Sequence, residues 1–263
     1  MEHLSSRHNA HFKLAHKLAG SARERSKTSK LLLDGTRLVR AYAEQFGFDE
    51  IMLLLSEEGA AREGVRDLVA SSKPRNVYLL TDALFAEITQ VETSEGVTAI
   101  AAIPHMNFLP KDDFRVLIDG VQEPGNLGGL LRIAAAAGAT SAHLTKGCAD
   151  VWSPKSLRGG MGAQFVLPVR ERVDLKNALI GFRGSVIATS PHARNSIYDV
   201  DLTGSVALIF GSEGRGLDEQ GQALATKLVH IPMAGKVESL YVAEAAAVCC
   251  FERLRQVLPQ NPG

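Results

Sequence analysis

The sequence predicts an α/β protein of two domains, the second built on a parallel sheet. Short β-branched or apolar runs alternate with helix-patterned segments along most of the chain, which is how parallel sheets are connected. A length of 263 residues allows one or two domains, and 45% hydrophobic with 22% charged residues is the balance of a globular protein with a full core. The stretch HMNFLPKDD at 105–113 has the polar and proline content of a linker and divides the alternation in two. The expected domains are therefore 1–105 and 112–263.

Residues 1–28 are polar and basic and predict a short helix and a loop. LLLDG, then TRLVRAYAEQF, reads as strand, turn and helix, with Leu38, Val39, Tyr42 and Phe46 on one helical face. IMLLLS at 51–56 and NVYLLT at 76–81 are strand-like, with a helix pattern, AREGVRDLVASS, between them. TDALFAEIT opens a further helix with Thr81 or Asp82 as cap, and GVTAIAAIP at 96–104 closes the first domain.

In the second domain FRVLID at 114–119 predicts a buried strand. A turn at Pro124, Gly125 and Asn126 follows, then a helix from Leu127 to Ala137 capped by Asn126 and stopped by Gly138. SAHLT at 141–145 is a strand, and SPKSLRGGMGA at 153–163 a helix opened by Ser153 and Pro154. FVLPV, a helix near 174–182, SVIATS at 185–190, VALIF at 206–210 and LVHI at 228–231 continue the alternation. YVAEAAAVCCFERLRQVL is a long final helix.

Composition narrows the function classes. No apolar stretch approaches the roughly 18–20 residues of a membrane span, and the opening MEHLSSRHNAHFK lacks the apolar core of a signal peptide. Cys148, Cys249 and Cys250 have no metal-ligand spacing, the histidines form no HExxH pattern, and a reduced, cytoplasmic protein without a metal is expected. Neither GxGxxG nor GxxxxGK[ST] occurs, which argues against nicotinamide or P-loop chemistry. Net charge is zero, but Arg7, Lys13, Lys17, Arg23, Arg25, Lys27, Lys30, Arg37 and Arg40 stand against only Glu24 and Asp34 in that span. Such clusters serve RNA phosphate contacts; a solvated arm or a targeting segment has the same composition. Trp152 has two readings, base stacking or packing anchor, and Arg158 two more, phosphate contact or solvated helix residue.

Two late segments, FGSEGRGL at 210–217 and IPMAGKVESL at 231–240, are glycine-bearing turns that follow apolar runs. In an α/β protein that is where a small-molecule pocket forms. Gly211, Gly214, Gly216 and Gly235 allow close backbone approach or positive φ, and Pro232 fixes φ where the second loop leaves its strand. With DGVQEPGNLGGLLRIAAAAGA at 119–139 there are three loop elements, and Asn126 and Arg132 are candidates to face one cleft.

EPGNLGGLLRIAAAAGA, LIFGSEGRGL and IPMAGKVESLYVAEAAAV resemble, in order and separation, the three motifs of the SpoU, or TrmH-like, branch of the SPOUT RNA methyltransferases. The resemblance covers about residues 112–257. More weakly, residues 8–103, through LLLDGTRLVRAYAE, are similar to the family's L30e-like RNA substrate-binding domain. The resemblance implies a SPOUT domain with a deep trefoil knot, a homodimer packed through it, and S-adenosyl-L-methionine as cofactor. It implies transfer of a methyl group to an RNA ribose 2′-hydroxyl, with rRNA ahead of tRNA as substrate. Gly211, Ile231, Met233 and Leu240 match the cofactor loops. Arg132, Asn126, Glu213, Ser239 and Tyr241 match the catalytic positions, with Arg132 as a clamp on phosphate or hydroxyl rather than a base, because a guanidinium pKa above about 12 opposes deprotonation. One position departs: the family's asparagine after Ser239-Leu240 is Tyr241 here. Either its hydroxyl supplies the polar contact or activity is lost or changed, leaving a non-catalytic RNA-binding protein as the alternative. An antibiotic-resistance or tRNA-directed methyltransferase is a further reading of the same chemistry.

Overall fold

The computed structural model describes residues 1–91, 93–108, 113–235 and 240–259. The chain forms two compact units, Met1–His105 with Asp150–Phe165, and Met106–Ala149 with Val166–Gly263. The segment 150–165, placed by the sequence in the second domain, is thus part of the first unit.

The first unit runs β1 (Glu2–Leu4), α1 (Ala10–Gly20), α2 (Ala22–Thr28), β2 (Lys30–Asp34), α3 (Thr36–Phe46), β3 (Met52–Ser56), α4 (Glu57–Ala61), α5 (Glu63–Ser72), β4 (Asn76–Leu80), α6 (Asp82–Ala86) and β5 (Val97–Ala102). Its sheet has the order β1-β4-β3-β5-β2, with β5 antiparallel to both neighbours and the other pairs parallel. Phe12, Ala15 and Leu18 from α1 pack with Leu32, Leu54, Leu80 and Ile100 from the sheet.

The basic N-terminal stretch is neither arm nor loop. It forms two helices, because Asn9 accepts the amides of His11 and Phe12 and Ser21 accepts that of Glu24, two side-chain caps inside an otherwise polar sequence. Arg25 is buried and structural: its Nε donates to Asp150 (2.6 Å) and its Nη1 to the Leu18 carbonyl. Arg7 pairs with Glu87. Lys13, Lys17, Arg23, Lys27, Lys30 and Arg37 remain exposed.

The second unit contains β6 (Phe114–Ile118), α7 (Pro124–Ala136) and β7 (Ser141–Leu144). After α8 (Pro154–Gly160), which belongs to the first unit, come β8 (Val169–Arg170), α9 (Leu175–Ala178), β9 (Ser185–Thr189), β10 (Asn195–Ser196), β11 (Val206–Phe210), α10 (Glu219–Ala223), β12 (Lys227–His230) and α11 (Val242–Val257). The seven strands lie in the order β10-β12-β9-β11-β6-β7-β8, and every pair is parallel, as the alternation predicts. β11 is buried at all five positions, between β6 and β9, which explains its unbroken apolar sequence. Of FVLPV only Val169 enters a strand, the two-residue β8, because Phe165 is drawn into the first unit and Pro168 has no ladder donor.

Segment 150–165 joins the first unit through specific contacts. Phe165 meets Tyr42 edge-on at 5.3 Å, and Arg158 lies 3.8 Å from the buried carboxylate of Asp34. Arg158 therefore has a structural partner, and Trp152, 7% exposed, is the packing anchor. Burial pushes the Asp34 carboxyl above its ordinary range, with Thr89 and Arg158 opposing the shift.

In the second unit α7 and α11 lie side by side, and small residues permit their approach: a Cβ on Gly129 would stand 3.9 Å from that of Ala243. Cys249 and Cys250 are buried in α11, as filling rather than ligands. Arg253 of the same helix lies over the Phe114 ring, 4.2 Å from its centroid. Among the described residues no helix is long and apolar enough to cross a membrane, and no group of side chains could hold a metal ion.

Candidate active site

The parallel strands β12, β9 and β11 are neighbours, so their carboxyl ends open on one side, where α/β sheets bind small ligands. A pocket of about 320 Å³ lies there, within the range of small-molecule sites. Thr189 ends β9 and Ser190 follows it; Phe210 ends β11, and Gly211, Ser212, Glu213, Arg215 and Gly216 follow it. His230 ends β12, Ile231 and Met233 follow it, and Leu240, Val242 and Ala245 come from the start of α11 and the residue before its cap. All four residues matched to the cofactor loops, Gly211, Ile231, Met233 and Leu240, therefore lie on one wall system.

The loop after β11 closes on itself. Gly216 donates its amide to the Ser212 carbonyl at 2.9 Å and takes φ +64°, a left-handed conformation that favours glycine. Gly211 has no such φ, but a Cβ there would lie 2.2 Å from the Gly216 carbonyl carbon and 2.5 Å from the Leu217 nitrogen. Bare backbone is what lets the two ends of the loop meet.

The first motif reaches this loop differently from the sequence expectation. Asn126 is not the cap of α7. The helix starts at Pro124, whose missing donor and fixed φ suit the first helical position, so the cap falls to Glu123. Glu123 accepts the Asn126 amide at 2.7 Å, which places a carboxylate at the positive end of the helix. Asn126, freed from capping, donates its Nδ2 to Glu213 Oε1 at 2.9 Å. The structure thus brings Asn126 and Glu213 together beside the pocket. Arg132 lies exposed on α7 and is not among the lining residues; six residues of helix put it about 9 Å along the axis and on a different face from Asn126. Tyr241 caps α11 and is 72% exposed. Ser239 lies outside the described residues.

Sequence reasoning missed Thr189, Ser190, His230 and the cap Glu123. The signal for the first two was their place at the polar end of the run SVIATS, the same strand-then-polar pattern that marked the other loops. His230 Nδ1 is buried in the pocket wall without a hydrogen-bond partner among the described residues, an unspent polar group where a ligand has room. Apolar residues, exposed loop backbone, one unspent imidazole nitrogen and the opposite charges of Glu213 and Arg215 suit a small ligand that has both apolar and polar parts.

The model of the SpoU rRNA methylase family matches residues 113–251, the whole of this site. An uncharacterized tRNA/rRNA methyltransferase of Synechocystis sp. is 34% identical over 88% of this chain and 86% of its own length. The 23S rRNA guanosine 2′-O-methyltransferase RlmP of Bacillus subtilis is 30% identical, over 87% of this chain and 90% of its own. Among solved structures, the SpoU methyltransferase AviRb of Streptomyces viridochromogenes in complex with the cofactor AdoMet superposes with a TM-score of 0.84 at 28% identity, covering 94% of this chain and 98% of that one. Motifs, parallel sheet and matched relatives agree: the chain belongs to the SpoU rRNA methylase family.

Proposed function

We propose that this protein is an S-adenosylmethionine-dependent RNA ribose 2′-O-methyltransferase acting on ribosomal RNA. The observation that carries the proposal is the convergence of the family's three motifs, Gly211, Ile231, Met233 and Leu240 in the pocket wall and the Asn126–Glu213 pair at its edge. Relatives named as 23S rRNA 2′-O-methyltransferases supply the substrate class.

When bound, S-adenosylmethionine supplies a methyl group on a sulfonium, an electrophile that needs no metal. A ribose hydroxyl is a poor nucleophile and must be oriented and relieved of its proton. Glu213 is the carboxylate available to accept that proton, and Asn126 holds one of its oxygens by a hydrogen bond. Arg132, exposed on α7, acts as a clamp on the acceptor's phosphate or hydroxyl, and Tyr241 serves the acceptor side. The exposed cations of α1 and α2 contact phosphates of the RNA, in a domain of L30e-like role. A homodimer packed through the second unit, a trefoil knot and a cytoplasmic location complete the proposal.

The test is transfer of label from S-adenosylmethionine to rRNA. Wild type incorporates label and Arg132→Ala loses at least about 100-fold. Binding of RNA and of S-adenosylhomocysteine without transfer would favour the second reading, a non-catalytic RNA-binding protein. Tyr241 at the usual asparagine position is the observation that supports that alternative.

A further inference from the structure

We propose, on the methyl-transfer reading above, that Tyr241 is the stacking platform for the base of the nucleotide whose ribose is methylated, and that it sets affinity for the RNA rather than the chemistry. Its neighbours in sequence, Leu240 and Val242, both line the pocket, so its backbone lies at the pocket rim. The residue is 72% exposed, beside Leu240 at 38%, and stands outside the lining itself, between two residues that belong to it.

The backbone makes the choice of residue telling. Tyr241 holds the N-cap of α11, a helix of 16 residues, with φ −59° and ψ 153°, and makes no side-chain cap hydrogen bond. Asparagine, serine or aspartate there would accept a first-turn amide. A tyrosine forgoes that stabilisation and exposes a large ring instead. A local rule broken at a pocket rim marks a position kept for function.

The occupant follows from covalent geometry. The 2′-hydroxyl and the base are carried on adjacent ribose carbons, so a hydroxyl brought to the pocket brings its base to the rim. A base taken out of its helical stack is held on an aromatic face, whichever base it is. A carboxamide offers no such face. The tyrosine therefore changes how the acceptor is gripped and leaves the Asn126–Glu213 pair to the hydroxyl.

The experiment compares Tyr241→Phe, Tyr241→Ala and wild type in methyl transfer to total rRNA from cells lacking the protein, with S-adenosylhomocysteine binding measured in parallel. Tyr241→Ala should raise KM for RNA about 5- to 150-fold, the range for losing one base–aromatic stack. Tyr241→Phe should stay within about 3-fold of wild type, and both variants should bind S-adenosylhomocysteine as wild type does. The proposal is overturned if Tyr241→Phe falls as far as Tyr241→Ala, if kcat drops with KM unmoved, or if Tyr241→Ala loses cofactor binding. Should wild type bind S-adenosylhomocysteine yet methylate no RNA, the parent reading fails. Anisotropy with a single-stranded rRNA fragment then still decides on Tyr241: weaker binding by Tyr241→Ala but not Tyr241→Phe upholds the stack, and equal binding by all three removes it.

Discussion

Gly211→Ala puts the architecture of the pocket under direct strain. The new Cβ would lie 2.2 Å from the Gly216 carbonyl carbon and 2.4 Å from its oxygen, where ordinary contact begins at 3.4 Å. Backbone faces backbone, so no side chain can swing away, and one edge of the loop must retreat by about an ångström. Overpacking of this kind costs about 1–3 kcal/mol. For a chain of this size each kcal/mol moves Tm by about 2–4 °C, so a loss of roughly 2–12 °C is expected. Gly211 and Gly216 both line the pocket, so the displacement falls on the ligand wall and should weaken S-adenosylhomocysteine at least about 10-fold, or ~1.4 kcal/mol. Gly216→Ala, forced to φ +64°, should cost about 1–2 kcal/mol. Gly204→Ala, in the same unit with no atom within 4 Å, is the control and should leave both quantities within error. Differential scanning fluorimetry and titration calorimetry read the series. Wild-type Tm and affinity in Gly211→Ala would refute the close-approach argument.

Other perturbations separate the pocket from its supports. Asn126→Ala removes the 2.9 Å bond to Glu213 and should lower kcat about 100-fold while S-adenosylhomocysteine affinity in calorimetry holds. Arg25→Ala strands Asp150 and the Leu18 carbonyl and should cost about 3–5 kcal/mol, seen as an earlier melt of the first unit. Asp34 has a raised folded-state pKa, so its contribution is most favourable when protonated and falls as pH rises through the folded pKa. Asp34→Asn should therefore be more stable than wild type near pH 7, with the gap closing as pH falls toward the ordinary aspartate range, checked by urea denaturation across pH.

Legibility in the sequence followed how far each signal depended on local chemistry. β11 was readable because a strand buried on both faces carries an unbroken apolar run, and β6 and β9 because theirs are broken only by Arg115 and by the polar ends Ser185 and Thr189. The loop after β11 was readable from its glycines, although Gly211 and Gly216 serve different physical needs that spacing alone does not separate. The start of α7 was misplaced because Asn126 is a good cap in isolation, while Pro124 makes Glu123 the better one. The membership of 150–165 in the first unit was not readable, since the contact of Phe165 with Tyr42 spans more than a hundred residues. In the basic stretch, charge counting treated Arg25 like its neighbours; burial against Asp150 distinguishes it. The pairing of Asn126 with Glu213 joins positions 87 apart and needed the fold to become visible.

The central claim is that the loops after β9, β11 and β12, with Asn126 and Glu213 beside them, hold a methyl donor next to an RNA ribose. Mass spectrometry of nucleosides from rRNA of cells with and without this protein tests it directly. One 2′-O-methylated nucleotide that disappears with the protein, and returns with wild type but not with Asn126→Ala, is the predicted result. Identical ribose methylation in both rRNAs would contradict it.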